Sequence, residues 1–152
     1  MAERITVTLH ELVSALDTYA DAVLQSRYGV TYNQFEFLVA VHEQAPTDIT
    51  GLAHCLRVSK AAVSKRVPGL VAEGWITTGT DPSHARRVML ALTPRAERLV
   101  HDAGGALDAE FTALFADPRL DPRRTAGAVD VPTLNTHLAV LTDLVLEKGT
   151  PS

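Results

Sequence analysis

A chain of 152 residues, 46% hydrophobic and 21% charged, is long enough for one domain with a real core. No apolar run approaches the roughly 20 residues needed to cross a bilayer, and the first residues lack the basic segment and apolar stretch of a secretion signal. A single cysteine, Cys55, cannot build an internal disulfide framework, so the expected setting is the reducing cytoplasm, away from any membrane. The net charge of −4 is unevenly spread: residues 47–98 carry eight Lys or Arg against four Asp or Glu, residues 1–46 two against six, and residues 99–152 four against eight. Screening confines each charge to about 8–10 Å at physiological salt, so the basic middle can attract a polyanion despite its acidic flanks.

In chain order, Leu9, Leu12, Val13, Leu16, Ala20, Val23 and Leu24 recur at helical spacing and predict a helix over residues 8–27, ended by Tyr28-Gly29. Thr31-Tyr32-Asn33-Gln34 has the capping-box pattern. It opens a second helix that carries Phe35, Leu38, Val39 and His42 on one side and stops before Pro46. Thr50 is the expected cap of a short third helix over residues 51–57, and Ser59 that of a fourth, which Gly74-Trp75 ends.

Two strand-like runs follow, residues 75–78 and 88–92, joined by a loop over residues 81–87. Thr93-Pro94 supplies a cap and a first-turn proline for a fifth helix through Leu99, Val100, Leu107, Phe111, Leu114 and Phe115. Gly104-Gly105 inside it costs about 1 kcal/mol per glycine relative to alanine. Residues 117–132 read as a loop, and a last helix over 133–148 places Leu134, Leu138, Leu141, Leu144 and Val145 on one face.

The predicted fold is therefore mainly α with a small β-hairpin wing (α+β), a winged helix-turn-helix over residues 31–93. Residues 1–30 and 94–152 would form a helical dimerisation region intertwined with it as a single domain. The first, fifth and sixth helices carry apolar stripes that the module alone would not bury, and a second copy of the chain would cover them.

A polar helix for the major groove beside an arginine-bearing hairpin is a device for reading double-stranded DNA. With Val63, Val67 and Leu70 inward at i, i+4 and i+7, Lys60, Ala61, Ser64 and Lys65 lie outward near the amino end, beside Arg66. Lysine reaches phosphates or guanine edges, serine reads either base type, and Ala61 can touch a thymine methyl. Ser59 and the helix amino terminus would meet a phosphate. Arg86 and Arg87 are expected at the hairpin tip, where arginine follows a narrow minor groove.

From Thr31 to Ala96 the chain resembles the MarR family of bacterial transcription regulators. The resemblance rests on Leu52-Ala53, Leu56, Val58-Ser59, Val63-Ser64-Lys65, Leu70, Gly74-Trp75 and the wing Asp81-Pro82…Arg86…Leu92-Thr93-Pro94. It implies a homodimer that binds a palindromic promoter site, usually as a repressor, and is released by a small effector, commonly aromatic. The effector pocket it implies lies between the second helix and the first and fifth, lined by Tyr19, Tyr32, Phe35, His42 and Trp75. Three positions depart from the family pattern. His84 stands where the wing usually carries an aspartate that orients its arginine, with Ala85 at a neighbouring basic position. Arg66 replaces an apolar residue. Pro68-Gly69 replaces a helix-compatible pair and is expected to kink or break the recognition helix after Val67, since an interior proline costs about 3 kcal/mol.

Cys55, near His54 and Arg57, has the neighbours of an oxidant sensor, although a lone cysteine is usually an inert small apolar group. None of the six histidines forms an i, i+4 pair, so no metal site and no cofactor are expected. An enzyme is not expected either: the chain has no phosphate-binding glycine loop and no Gly-x-Ser-x-Gly turn. The alternative function is a winged-helix adaptor that binds protein through the same surface. Steep salt dependence would mark DNA binding and not an apolar protein interface.

Overall fold

The computed structural model describes residues 4–121, 123, 127 and 129–149. The elements are α1 (Ile5–Tyr28), α2 (Tyr32–Glu43), β1 (Thr47–Asp48), α3 (Ile49–Leu56), α4 (Lys60–Ala72), β2 (Ile76–Asp81), β3 (His84–Leu92), α5 (Pro94–Ala113) and α6 (Val131–Glu147). The strands form one three-stranded antiparallel sheet in the order β1-β3-β2. The chain is thus mainly helical with a small sheet, as expected, and no described helix is long and apolar enough to cross a membrane.

Short-range hydrogen bonds set most helix ends. The Thr31 hydroxyl accepts from the Gln34 N–H at 3.1 Å while the Gln34 side chain accepts from the Thr31 N–H at 3.0 Å, completing the capping box of α2. Ser59 caps α4 and Thr93 caps α5 by accepting from Ala62 and Ala96. Gly74, at φ +77°, lets the chain turn out of α4, and the Trp75 N–H closes back on the Leu70 carbonyl at 2.9 Å. One cap differs from expectation. Asp48, not Thr50, caps α3, its carboxylate accepting from the Gly51 N–H at 2.7 Å, so Thr50 lies inside the helix.

Two compact units divide the chain at Gly105. In the first, the largest fully buried side chains are Leu24, Val30, Phe37, Leu38, Val41, Leu52, Val63 and Ile76, and Ala96 and Ala103 of α5 are fully buried with them. Only the last turns of α1 contribute to that core, through Val23 and Leu24. The Tyr32 N–H donates to Asp21 at 2.8 Å, which ties α1 to the start of α2. Ile5, Val7, Leu9, Leu12 and Val13, on the amino-terminal half of α1, are exposed.

The second unit contains the end of α5, two 3-10 turns (Leu114–Ala116 and Pro118–Leu120) and α6. Phe111 and Phe115 meet edge to face with ring centroids 5.5 Å apart. The first turn replaces the end of the expected fifth helix, at Leu114 and Phe115, and the second lies at the start of the stretch expected to be a loop; residues 122, 124–126 and 128 of that stretch lie outside the described residues. Helix α6 starts two residues earlier than its periodicity suggested, with Asp130 as cap and Pro132 in its first turn. None of its residues is buried, and Leu138, Val140, Leu141, Leu144, Val145 and Leu146 are exposed.

Pro68 does not break α4, which runs unbroken to Ala72. Proline removes one helix bond, the one that residue 68 would donate to the Ser64 carbonyl. Both residues are exposed, so water can serve that carbonyl, while Val67 and Leu70 on the inner side hold the last turns in place. Replacing Pro68 with alanine restores the bond and should stabilise the fold by about 1–3 kcal/mol. Urea denaturation of Pro68→Ala beside the wild type measures this, and an unchanged or lower midpoint would show that the proline carries no helix cost here.

Candidate nucleic-acid interface

Helices α3 and α4 are joined by the turn Arg57-Val58-Ser59. Arg57 takes φ +55°, the left-handed conformation that favours glycine, and its N–H bonds to the His54 carbonyl at 3.2 Å. The Val58 N–H closes on the Ala53 carbonyl at 3.1 Å. The left-handed backbone costs a non-glycine residue about 1–2 kcal/mol. An exposed basic side chain is therefore kept two residues before the Ser59 cap at a place where glycine would be easier.

Val63, Val67 and Leu70 are buried at i, i+4 and i+7, which fixes the rotation of α4. Ser59, Lys60, Ala61, Ser64 and Lys65 are all exposed on the other side. Lys60 and Lys65 have no hydrogen-bond or ion-pair partner among the described residues. Arg66 does not join them. Its guanidinium donates to the Asn33 carbonyl at 2.7 Å and lies over the Phe37 ring, 4.7 Å from the centroid. The family's apolar position is thus filled by an arginine whose charge is spent on α2. Burial pushes its pKa down from the ordinary arginine value, and Glu36 opposes that shift.

The hairpin differs from expectation in both length and tip. Strands β2 and β3 extend until only Pro82 and Ser83 separate them, and the Asp81 carboxylate accepts from the Ser83 N–H at 2.9 Å and its hydroxyl at 2.7 Å. Arg86 and Arg87 therefore lie within β3 and not at the tip. The register jumps from Thr80↔Val88 to Asp81↔His84, so residues 85–87 have no opposite number on β2.

Arg87 donates through Nε to Asp48 Oδ2 at 2.7 Å and through an Nη to Asp81 Oδ2 at 3.1 Å. The Gly51 N–H and then Arg87 hold the Asp48 carboxyl below the usual carboxylate range, against a smaller opposing effect of burial. Arg86 is exposed and has no such partner among the described residues.

Against known proteins, the MarR family profile matches residues 28–87, a span that holds the second helix, the helix-turn-helix and most of the wing. Over that span the chain is similar to the MarR family of transcription regulators. It is 29% identical over 105 residues to the transcriptional regulator AdcR of Streptococcus pneumoniae, covering 67% of this chain and 71% of that protein. Its fold is similar to that of Staphylococcus aureus MarR in complex with salicylate and kanamycin, with a TM-score of 0.75 at 16% identity over 96% of this chain and 92% of the other. It is also similar to the S. aureus MepR–DNA complex, with a TM-score of 0.69 at 18% identity over 95% and 98%.

The five residues that the MarR resemblance assigned to an effector pocket differ in burial and in partners. Phe35 and Trp75 are core. The Trp75 indole donates to Glu73 at 3.1 Å, and its ring is covered by the Arg95 guanidinium at 3.8 Å. His42 is on the surface, 2.8 Å from Glu97. Tyr32 is half-buried; burial first, then Asp17, pushes its pKa up to about 12, so it stays a neutral phenol. Tyr19 alone lines an open hollow of about 770 Å³ along α1, with His10, Glu11, Ser14 and Thr18. Aromatic residues at helical spacing were equally consistent with a core, and core is what the two most buried became. Cys55 is half-buried, and no three His, Cys, Asp or Glu side chains converge among the described residues.

The separate fates of Arg66 and Lys65 give a direct test. Arg66→Ala removes a charged hydrogen bond and a ring contact and should cost about 1–3 kcal/mol of stability. Lys65→Ala should stay within about 0.5 kcal/mol. Equal denaturation midpoints for the two variants would show that Arg66 is as free as its neighbour.

Proposed function

We propose that this protein is a homodimeric DNA-binding regulator that occupies a palindromic promoter site, represses by occupying it, and is released by a small aromatic effector. The observation that carries this reading is the pairing of an outward-facing basic row on α4 with Arg86 on the wing, all without side-chain partners among the described residues. Lys60, Ala61, Ser64 and Lys65 would meet base edges and phosphates in the major groove, with Ser59 and the α4 amino terminus on a phosphate. Arg86 would follow the adjacent minor groove.

The dimer is supported by the exposed apolar side chains of α1 and of α6, which a monomer leaves in water. Under this proposal the terminal helices form the dimerisation region around the winged module. A two-fold axis then makes the site palindromic, because each half-site meets the same α4. DNA as partner accords with the MepR–DNA complex, and a small aromatic effector with the salicylate complex of S. aureus MarR.

Selection from randomised duplexes should return a two-fold symmetric site. On that site, Lys65→Ala and Arg86→Ala should each weaken binding about tenfold while sedimentation shows an unchanged dimer. Affinity should also fall steeply between low and moderate salt. If both variants kept wild-type affinity in an anisotropy titration, the docking would be wrong. Salt-independent capture of protein in place of DNA would favour the adaptor function.

A further inference from the structure

We propose that Arg87 and Asp48 are positioning residues for the wing: their ion pair, rather than the strand ladder, fixes how Arg86 is presented to DNA. The inference rests on the DNA-reading function above and assigns Arg87 a different part in it, as an anchor in place of a contact.

The case begins with what the ladder leaves undone. Residues 85–87 have no opposite residues on β2, because the register jumps between Thr80↔Val88 and Asp81↔His84. On the other side of β3, β1 reaches only Met89 and Leu90. Strand pairing is therefore interrupted between Val88 and His84 on the β2 side, and ends at Met89 on the β1 side, so the segment that holds Arg86 is paired on neither. What spans the gap is the Arg87 side chain, 2.7 Å from Asp48 at the α3 amino end and 3.1 Å from Asp81 at the end of β2.

Surface ion pairs usually contribute little, since two flexible side chains must be ordered at once. Here both carboxylates are already fixed. Asp48 is held by the Gly51 N–H and its side chain is only 14% exposed. Asp81 is held by the Ser83 N–H and hydroxyl. Only Arg87 remains to be ordered, and it joins two acids on different elements. Arg86 is the immediate chain neighbour of the anchored residue, so holding Arg87 against Asp48 limits the directions open to Arg86. The family's wing aspartate is His84 in this chain, and the Asp48–Arg87 pair supplies the missing constraint from outside the wing.

Asp48→Asn isolates this role. Asparagine caps a helix about as well as aspartate, but its second atom becomes an N–H donor facing the Arg87 donor. By charge alone, losing an acid beside a DNA-facing surface should strengthen binding; loss of positioning should weaken it. The expected result, on the duplex selected by the wild type, is about three- to tenfold weaker binding for Asp48→Asn. Arg87→Ala should be less than additive with it, and Asp48→Asn should have no further effect in an Arg86→Ala background. In the DNA-free protein, amide hydrogen exchange over residues 80–88 should quicken in Asp48→Asn while that of α3 stays the same. Unchanged or tighter binding by Asp48→Asn, or unchanged wing exchange, would overturn the proposal. Should the wild type select no duplex at all, the DNA-reading function fails, and the exchange measurement still decides whether the pair holds the wing.

Discussion

Burial of Val63, Val67 and Leu70 fixes the rotation of α4, and what the helix offers to solvent follows from it. Three apolar contacts at i, i+4 and i+7 leave one orientation in which none of them faces water. In that orientation Lys60, Ala61, Ser64 and Lys65 come outward together, and Arg66 comes to the edge, where Asn33 and Phe37 take it. The turn before α4 depends on the same packing. With Leu52 and Ala53 buried on one side and Val63 on the other, the chain must reverse within three residues, and Arg57 accepts a strained backbone to do so.

The joint after α4 is equally constrained. Gly74 lets the backbone turn, Trp75 fills the space under it, and Arg95 from α5 closes over the indole while donating to the Glu73 carbonyl at 2.9 Å. The Thr93 hydroxyl donates to the Gly74 carbonyl at 2.8 Å and also caps α5. The end of the recognition helix, the base of the wing and the start of α5 therefore share one set of hydrogen bonds. A shift in any one of them strains the other two.

Features decided within a few residues were legible in the sequence. The Thr31–Gln34 box, the Ser59 cap, the Gly74 stop and the Thr93-Pro94 start are contacts between residues three to five apart, and each was read correctly. The misplaced features depend on partners far away in the chain. Arg66 bonds a carbonyl 33 residues before it, and Arg87 a carboxylate 39 residues before it. Nothing near them in sequence distinguishes an arginine held by the protein from one left free. Thr50 was the expected cap of α3, but Asp48, an equally good cap type two residues earlier, is the one whose carboxylate reaches the Gly51 N–H. The hairpin was read too short because its polar stretch, residues 77–87, lacks the apolar alternation by which strands announce themselves. At Pro68 the lost bond falls on the exposed side of α4, and the expected break does not occur.

The chain has one tryptophan, and it sits in the core where α4, the wing and α5 meet. Indole emission shifts with the polarity and charge around the ring, and here a guanidinium covers the face while a carboxylate holds the N–H. The protein thus carries its own optical probe at a single known site. Because that ring lies where α4, the wing and α5 meet, any rearrangement of these elements would be visible without a label.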